Sequence, residues 1–403
     1  MGKLKVFEAF AGIGCQRIAL RNLGLDYESV GISEVDRYAI IGYDAIHNQQ
    51  FEVEKVSKGE MISEIKKRNI AYNFSTNKSE IPKKDSDLKK LYNSHIRSKN
   101  HGDIRLIDPN DLPDFDLFTY SPPCKNISIA GGQDGFDKDS GTQSSLLWEC
   151  EKIIREKRPK YLLFENVKNI VGKNHIDNFN QWCEILESYG YINHWKILNG
   201  CDFGVPQNRE RCIMFSVLKN YDKGIKLPNN NANNKTIKDI LEDEVDDKYI
   251  LAKCSHKQDI LNTLLDTIIY NYDKLNDDNE YNQLLQIGML NHKGNQSTRR
   301  VYAYNGLCPT LNSMNGGNRQ PKILLYKNNE YVIRKMTPLE CWRTQGLSDD
   351  LYYRAKNIGK LCDSKLYERS GRTIVIPMLE EILKVYLKEY IYEDDNKSRF
   401  RAV

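Results

Sequence analysis

Lys5-Val-Phe-Glu-Ala-Phe-Ala-Gly-Ile-Gly14, running on into Cys15-Gln-Arg-Ile-Ala-Leu-Arg-Asn-Leu-Gly24, is the stretch on which the fold turns. Lys5–Phe10 has the length and apolar content of a short buried strand. Gly12 and Gly14 interrupt it. Ile18 and Ala19 then mark the apolar face of a helix over Cys15–Leu23, and Gly24 stands just past its end. Glycines here let a ligand approach the backbone, and the first N–H groups of a helix have no partner within it. Taken alone, such a loop is equally a tight turn.

The same unit recurs down the first half of the chain. Strands are expected at Ser29–Val35, Asp116–Tyr120, Tyr161–Asn166, Ile192–Leu198 and Arg211–Leu218. Helices are expected at Asp36–His47, Ser145–Lys157 and Phe179–Tyr189. Apolar strands alternating with helices imply an α/β fold, a Rossmann-like, mostly parallel sheet with helices on both faces. The pattern changes near residue 220, where Pro228 opens a polar, asparagine-rich linker. A smaller mixed domain is expected over 221–330, with a loop at Asn312–Gln320. Residues 331–403 would form a hinge and a closing helix, Pro377–Tyr386, that returns to the domain formed by 1–220.

Composition excludes several classes. Of 403 residues 40% are hydrophobic and 28% charged, which leaves room for a core and argues against wholesale disorder. No apolar run reaches the roughly 18 residues of a membrane helix. The opening residues lack an apolar signal core, so a cytoplasmic protein is expected. The ten cysteines include no C-x-x-C pair, and no His/Cys cluster has ligand spacing, so no metal is expected. The net charge of +4 is small, but it is segregated. Residues 55–99 carry twelve Lys/Arg against five Asp/Glu, 222–280 eight against thirteen, and 292–345 nine against two. Two basic blocks suggest a polyanionic partner.

Several side chains stand where chemistry would need them. Glu34, at the end of the second strand, could take both ribose hydroxyls of a nucleoside. Asp103, in Gly102-Asp103-Ile104, could accept from an adenine amine. Pro122-Pro123-Cys124 follows a strand at its carboxyl end, the edge at which open α/β sheets bind ligands, and two prolines set a thiol on a stiff loop. Glu165-Asn166-Val167 ends a further strand on the same edge. Arg209 and Arg211, two residues apart at the start of a strand, point to one face.

Together these segments resemble the cytosine-C5 DNA methyltransferases of bacteria and phages. The matching order is FAGIG, ISEVD, GDI, SPPC, ENVKN, QNRER, RKMTPLECWRTQG and GRTIVIPMLEEI, spread over residues 4–385. The resemblance implies transfer of a methyl group from S-adenosylmethionine to C5 of a cytosine turned out of duplex DNA. Cys124 would attack C6, because addition there makes C5 enamine-like. The site would either depress the thiol's pKa or remove its proton during attack. Glu165 would hold or protonate N3, for which it must carry a proton near neutrality. Arg211 would contact O2, with Arg209 close by. The cofactor would lie against Phe10, Gly12, Ile13, Gly14, Glu34, Val35, Asp103, Ile104, Pro122 and Thr373. DNA would meet Lys125, Ser128, Gln296, Arg299, Arg300, Thr310 and Arg319. A monomer is implied, with a restriction–modification role and a cognate endonuclease acting separately.

Three departures stand out. Lys125 replaces the glutamine usual after the cysteine, Val35 replaces an aromatic that stacks on adenine, and Arg372-Thr373 replaces Asn-Ser. Rival readings are a tRNA cytosine-C5 methyltransferase, an oxidoreductase and a catalytically silent DNA-binding relative. The Cys-Phe-Thr signature of the tRNA-acting branch is absent, and Arg17 occupies the third glycine position of a dinucleotide fingerprint.

Overall fold

The computed structural model describes residues 2–73, 76, 78–124, 126–127, 142–229, 235–267, 274, 279–291, 293–314 and 316–390. Strand β1 (Leu4–Ala9) is buried everywhere except Lys5. Leu4 and Val6 join one core with Ile18, Ile40 and Leu379; Phe7 and Ala9 join another with Phe118, Ile153 and Trp182. Side chains alternate across a strand, so two cores on one strand require cover on both faces of the sheet.

That sheet contains β1, β2 (Tyr27–Ser33), β5 (Leu117–Tyr120), β6 (Tyr161–Val167), β7 (Tyr191–Asn199) and β8 (Glu210–Leu218); β3 (Tyr72–Asn73) and β4 (Lys78–Ser79) form a separate short pair. The order is β2-β1-β5-β6-β8-β7. Neighbours from β2 to β6 are parallel, whereas β8 runs against both β6 and β7. The connection from β7 to β8 is short, which favours antiparallel pairing and slots β8 between two strands that precede it. The helices are α1 (Cys15–Asn22), α2 (Arg37–His47), α3 (Lys58–Lys67), α4 (Asp85–Arg97), α5 (Leu147–Lys157) and α6 (Ile176–Ser188). The closing helix Ile376–Tyr386 packs back on the first sheet, where Tyr386 stacks on Phe215 with centroids 4.1 Å apart.

A second sheet follows, ordered β10-β11-β12-β13-β14-β9. Its strands are β9 (Ile250–Cys254), β10 (Leu264–Thr267), β11 (Gln286–Leu290), β12 (Arg300–Ala303), β13 (Lys322–Lys327) and β14 (Glu330–Lys335). Only β12 and β13 pair in parallel. Asn328 and Asn329, both left-handed at φ 53° and 63°, make the tight turn that returns the chain as β14. The sheet therefore continues past residue 330, to Lys335.

The lysine-rich stretch is anchored rather than merely solvated. Helix α4 buries Leu88 and Leu91, and Arg97 reaches the buried Asp44 of α2 at 2.6 Å.

Candidate active site

The loop after β1 turns through left-handed backbone at Phe10, Gly12 and Gly14 (φ 55°, 57° and 76°). At Gly14 a Cβ would lie 2.3 Å from His47 Nε2, so glycine is required by packing. At Gly12 nothing lies within 4 Å of that position, so the loop opens onto free space. Ile13 is buried, and its carbonyl lies 2.9 Å from His47 Nε2.

Glu34 braces this loop. Its Oε2 accepts from Gly12 N at 2.9 Å, and Oε1 accepts from Val35 N and Asp36 N, each at 2.8 Å. Burial, and then the neighbouring Asp36 charge, push its pKa up. Val35 is half-buried beside it. Asp103 is buried and already engaged: it accepts from Asn69 Nδ2 at 2.7 Å and pairs with Arg105 at 2.5 Å. Burial opposes its ionisation, but the Arg105 and Asn69 hydrogen bonds outweigh that and hold its pKa down. Ile104 is buried next to it. Asn100 was not singled out by motif, yet its Oδ1 accepts from both Glu34 N and Gly102 N at 3.0 Å. The segment leading out of the lysine-rich stretch thus sets the two carboxylates in place. Thr373 is buried and donates its hydroxyl to the Arg369 carbonyl at 2.7 Å, just past the helix Asp363–Gly371, and it lies within hydrogen-bonding reach of the Cys15 thiol that follows Gly14. Arg372 bridges Asp36 at 3.0 Å and Glu368 at 2.6 Å.

Cys124 and Glu165 come from the carboxyl ends of adjacent strands, β5 and β6. Pro122 is buried and its carbonyl accepts from Asn166 Nδ2 at 3.2 Å, which ties the Cys124 loop to β6. Asn169 Nδ2 holds the Ile127 carbonyl at 2.6 Å on the far side of the cysteine. Glu165 Oε1 lies 3.0 Å from Arg211 Nε, and each side chain is 12% exposed. Glu165 is therefore ion-paired rather than alone in an apolar pocket. Cys124 is half-buried. Burial and then the Glu165 charge push its pKa up, against the pull of Arg211 and Arg209. Among the described residues, burial thus works against a depressed pKa for this thiol in the free protein.

Arg209 is used differently from Arg211. It is buried, and its guanidinium donates to three carbonyls: Leu311 at 2.9 Å, Gly371 at 2.9 Å and Thr373 at 3.0 Å. It clasps the start of β8 to two distant segments, close enough for its charge to reach Cys124 and Glu165. Gly371 is needed at this junction, since a Cβ would lie 1.8 Å from the Asn312 carbonyl oxygen.

The expected DNA contacts divide. Arg300, Thr310 and Arg319 line one cleft of about 250 Å³, together with Ser297 and Tyr302. Thr310 Oγ1 donates to the Asn208 carbonyl at 2.5 Å, which links this cleft to the Arg209 segment. Gln296 is exposed in the adjoining turn. Arg299 turns back, donating from Nε to the Leu290 carbonyl at 2.9 Å. Lys125 and Ser128 lie outside the described residues. Among the described residues, no three His, Cys, Asp or Glu side chains are grouped to hold a metal ion.

The family model for C-5 cytosine-specific DNA methylases matches residues 69–388. The chain belongs to that family. As a DNA cytosine-5-methyltransferase it has relatives of its own length in bacteria. It is 40% identical to the type II methyltransferase M2.ScrFI of Lactococcus lactis subsp. cremoris, over 96% of this chain and 99% of the relative. It is 35% identical to the orphan methyltransferase M.SssI of Spiroplasma monobiae, over 94% of this chain and 96% of the relative. The Dnmt2 methyltransferase of S. pombe shares the fold, with a TM-score of 0.57 at 14% identity, over 97% of this chain and all of that one. The methyltransferase carries no helix long and apolar enough to cross a membrane among its described residues.

Proposed function

We propose that this methyltransferase acts on a cytosine extruded from duplex DNA, through a covalent bond between Cys124 and C6. The observation that carries the reading is the half-buried Cys124 thiol within electrostatic reach of the Glu165–Arg211 pair, on a loop fixed by Asn166. A thiol cannot reach C6 inside a stack, so the base must leave the helix at a cost of a few kcal/mol. As sulfur adds to C6, the thiol proton passes to water and the electron pair of the C5–C6 bond moves into the ring, where N3 takes up a proton relayed by Glu165. Glu165 holds the N3 edge and Arg211 offsets the charge that develops at O2. When water later removes the C5 proton, its electron pair restores the C5–C6 double bond, the C6–S pair returns to sulfur, and N3 gives its proton back through Glu165.

The open space at Gly12 and the braced carboxylate of Glu34 fit S-adenosylmethionine, which when bound supplies the methyl group that C5 takes up. Phe10, Ile13, Gly14, Val35, Ile104 and Pro122 would line its site. Asp103 would receive the adenine amine only by sharing a carboxylate now held by Arg105. Thr373, beside Cys15 at the start of α1, would complete the wall of that site. Residues 1–220 and 331–403 would form the catalytic unit, and 221–330 the larger part of the unit that reads DNA. A monomer working in the bacterial cytoplasm suits this layout. A restriction–modification role, with a separate endonuclease, is the setting we infer.

Bisulfite sequencing of DNA from a host expressing the protein tests this directly. Cytosines protected at one short sequence context, and unprotected when Cys124→Ser is expressed instead, are expected. Full conversion of host DNA, with methyl transfer to tRNA in its place, would contradict the reading.

A further inference from the structure

Lys322 is an anomaly in the second sheet. It opens β13 with 1% of its surface exposed, although lysine is rarely buried without a partner. Among the described residues no carboxylate pairs with it. Its ammonium instead donates to two carbonyls, Thr298 at 2.5 Å and Asn318. Its cross-strand neighbour is a second lysine, Lys335, whose Nζ donates to the side chain of the same Asn318 at 3.1 Å. Burial, and then the Lys335 charge, push the Lys322 pKa down to about 8, so the site receives this cation at a cost.

The two carbonyls belong to two separate loops. Thr298 closes the turn Gln296–Thr298 that leads into Arg300, and Asn318, left-handed at φ 56°, immediately precedes Arg319. Arg300 and Arg319 both line the cleft that also holds Thr310. An apolar side chain at 322 would fill the same space without desolvating a charge, but it would leave both loops untied.

We propose that Lys322 is the positioning residue of the sequence-reading loops. It sets the spacing of Arg300 and Arg319 from beneath the cleft and touches no base itself. A bound polyanion above it would offset the cost of its burial, so loop order and DNA binding would be linked. The proposal rests on the reading of this cleft as a DNA-contacting surface.

The test uses the full-length enzyme with Lys322→Met, assayed on its target duplex and on duplexes altered one base pair at a time. The KM for DNA is expected to rise tenfold or more while kcat changes less than threefold. Discrimination between target and altered duplexes should fall by a similar factor, with S-adenosylmethionine binding unchanged. Lys322→Arg, which keeps a cationic donor, should recover part of the discrimination. A Lys322→Met enzyme with the wild-type KM and discrimination overturns the proposal. Should that variant not fold, Lys322→Gln, which retains one donor, takes its place, and an unchanged KM and discrimination again overturn it. Arg300→Ala and Arg319→Ala separate the two layers of the argument. If these leave the KM for DNA unchanged, the cleft is not the DNA surface; if they raise it while Lys322→Met does not, only the role of Lys322 fails.

Discussion

Asn166 Nδ2 donates to the carbonyl of Pro122 at 3.2 Å, so the residue after the site's carboxylate fixes the loop that carries its thiol. The Asn166 Oδ1 also accepts from Val167 N at 2.9 Å, and the side chain is buried, which leaves it one conformation. Asn166→Ala should therefore lower kcat by roughly tenfold to a hundredfold, since small misplacements of reacting groups cost that much. Cofactor affinity, measured by calorimetry, should stay within about twofold on the same principle of local placement. A normal kcat would show that the prolines and Asn169 hold the loop without Asn166.

The Glu165–Arg211 pair gives a second expectation. Arg211→Met would leave a carboxylate with 12% of its surface exposed and without its cation. Turnover should fall roughly a hundredfold to a thousandfold if Arg211 meets charge developing on the ring. Unpairing a largely buried acid should also lower stability by about 1–3 kcal/mol, readable in urea denaturation. Loss of stability with undiminished turnover would make Arg211 structural only.

The thiol makes the reaction sensitive to pH. Burial, then Glu165, hold the Cys124 pKa above its ordinary value, so the proton is on sulfur at neutrality. The thiolate is the nucleophile, and its fraction grows as pH rises. Single-turnover methylation should therefore climb steadily from pH 6.5 to 8.5. A rate that is flat across that window would contradict attack by a thiol that loses its proton to solvent.

Glu8 offers a test of stability. It lies buried in β1, where its Oε2 accepts from Tyr43 at 2.5 Å and its Oε1 has no partner among the described residues. Burial raises its pKa in the folded state, with Tyr43 and Arg17 opposing. The folded chain then binds more protons than the unfolded one, so stability is lost as pH rises above the unfolded value of about 4.3. Glu8→Gln removes that titration, and its gain in Tm should be larger at pH 8 than at pH 5. A gain independent of pH would exclude the linkage.

Much of this was legible in the sequence. The order of strands and helices followed from apolar spacing, and Cys124, Glu165 and Glu34 stand at strand ends where ligands bind. What escaped depends on contacts between segments distant in the chain. Arg209 and Arg211 share a spacing, yet one spends its donors on carbonyls near 311 and 371–373 while the other pairs with Glu165. Asp103 reads as an open acceptor until Arg105 and Asn69 are seen to occupy it. The insertion of β8 between β6 and β7 is a matter of pairing, which periodicity along one strand does not encode. Lys322 resembles any other basic residue of its block until its burial is known.

The central claim is a bond between Cys124 and C6 of the base. Duplex DNA carrying 5-fluorocytosine at the target position, incubated with enzyme and S-adenosylmethionine, tests it most directly. Fluorine cannot leave as the C5 proton does, so a denaturation-resistant protein–DNA complex should accumulate, with the peptide containing Cys124 carrying the added mass. No such complex, in an enzyme that still methylates ordinary cytosine at the same site, would contradict the account.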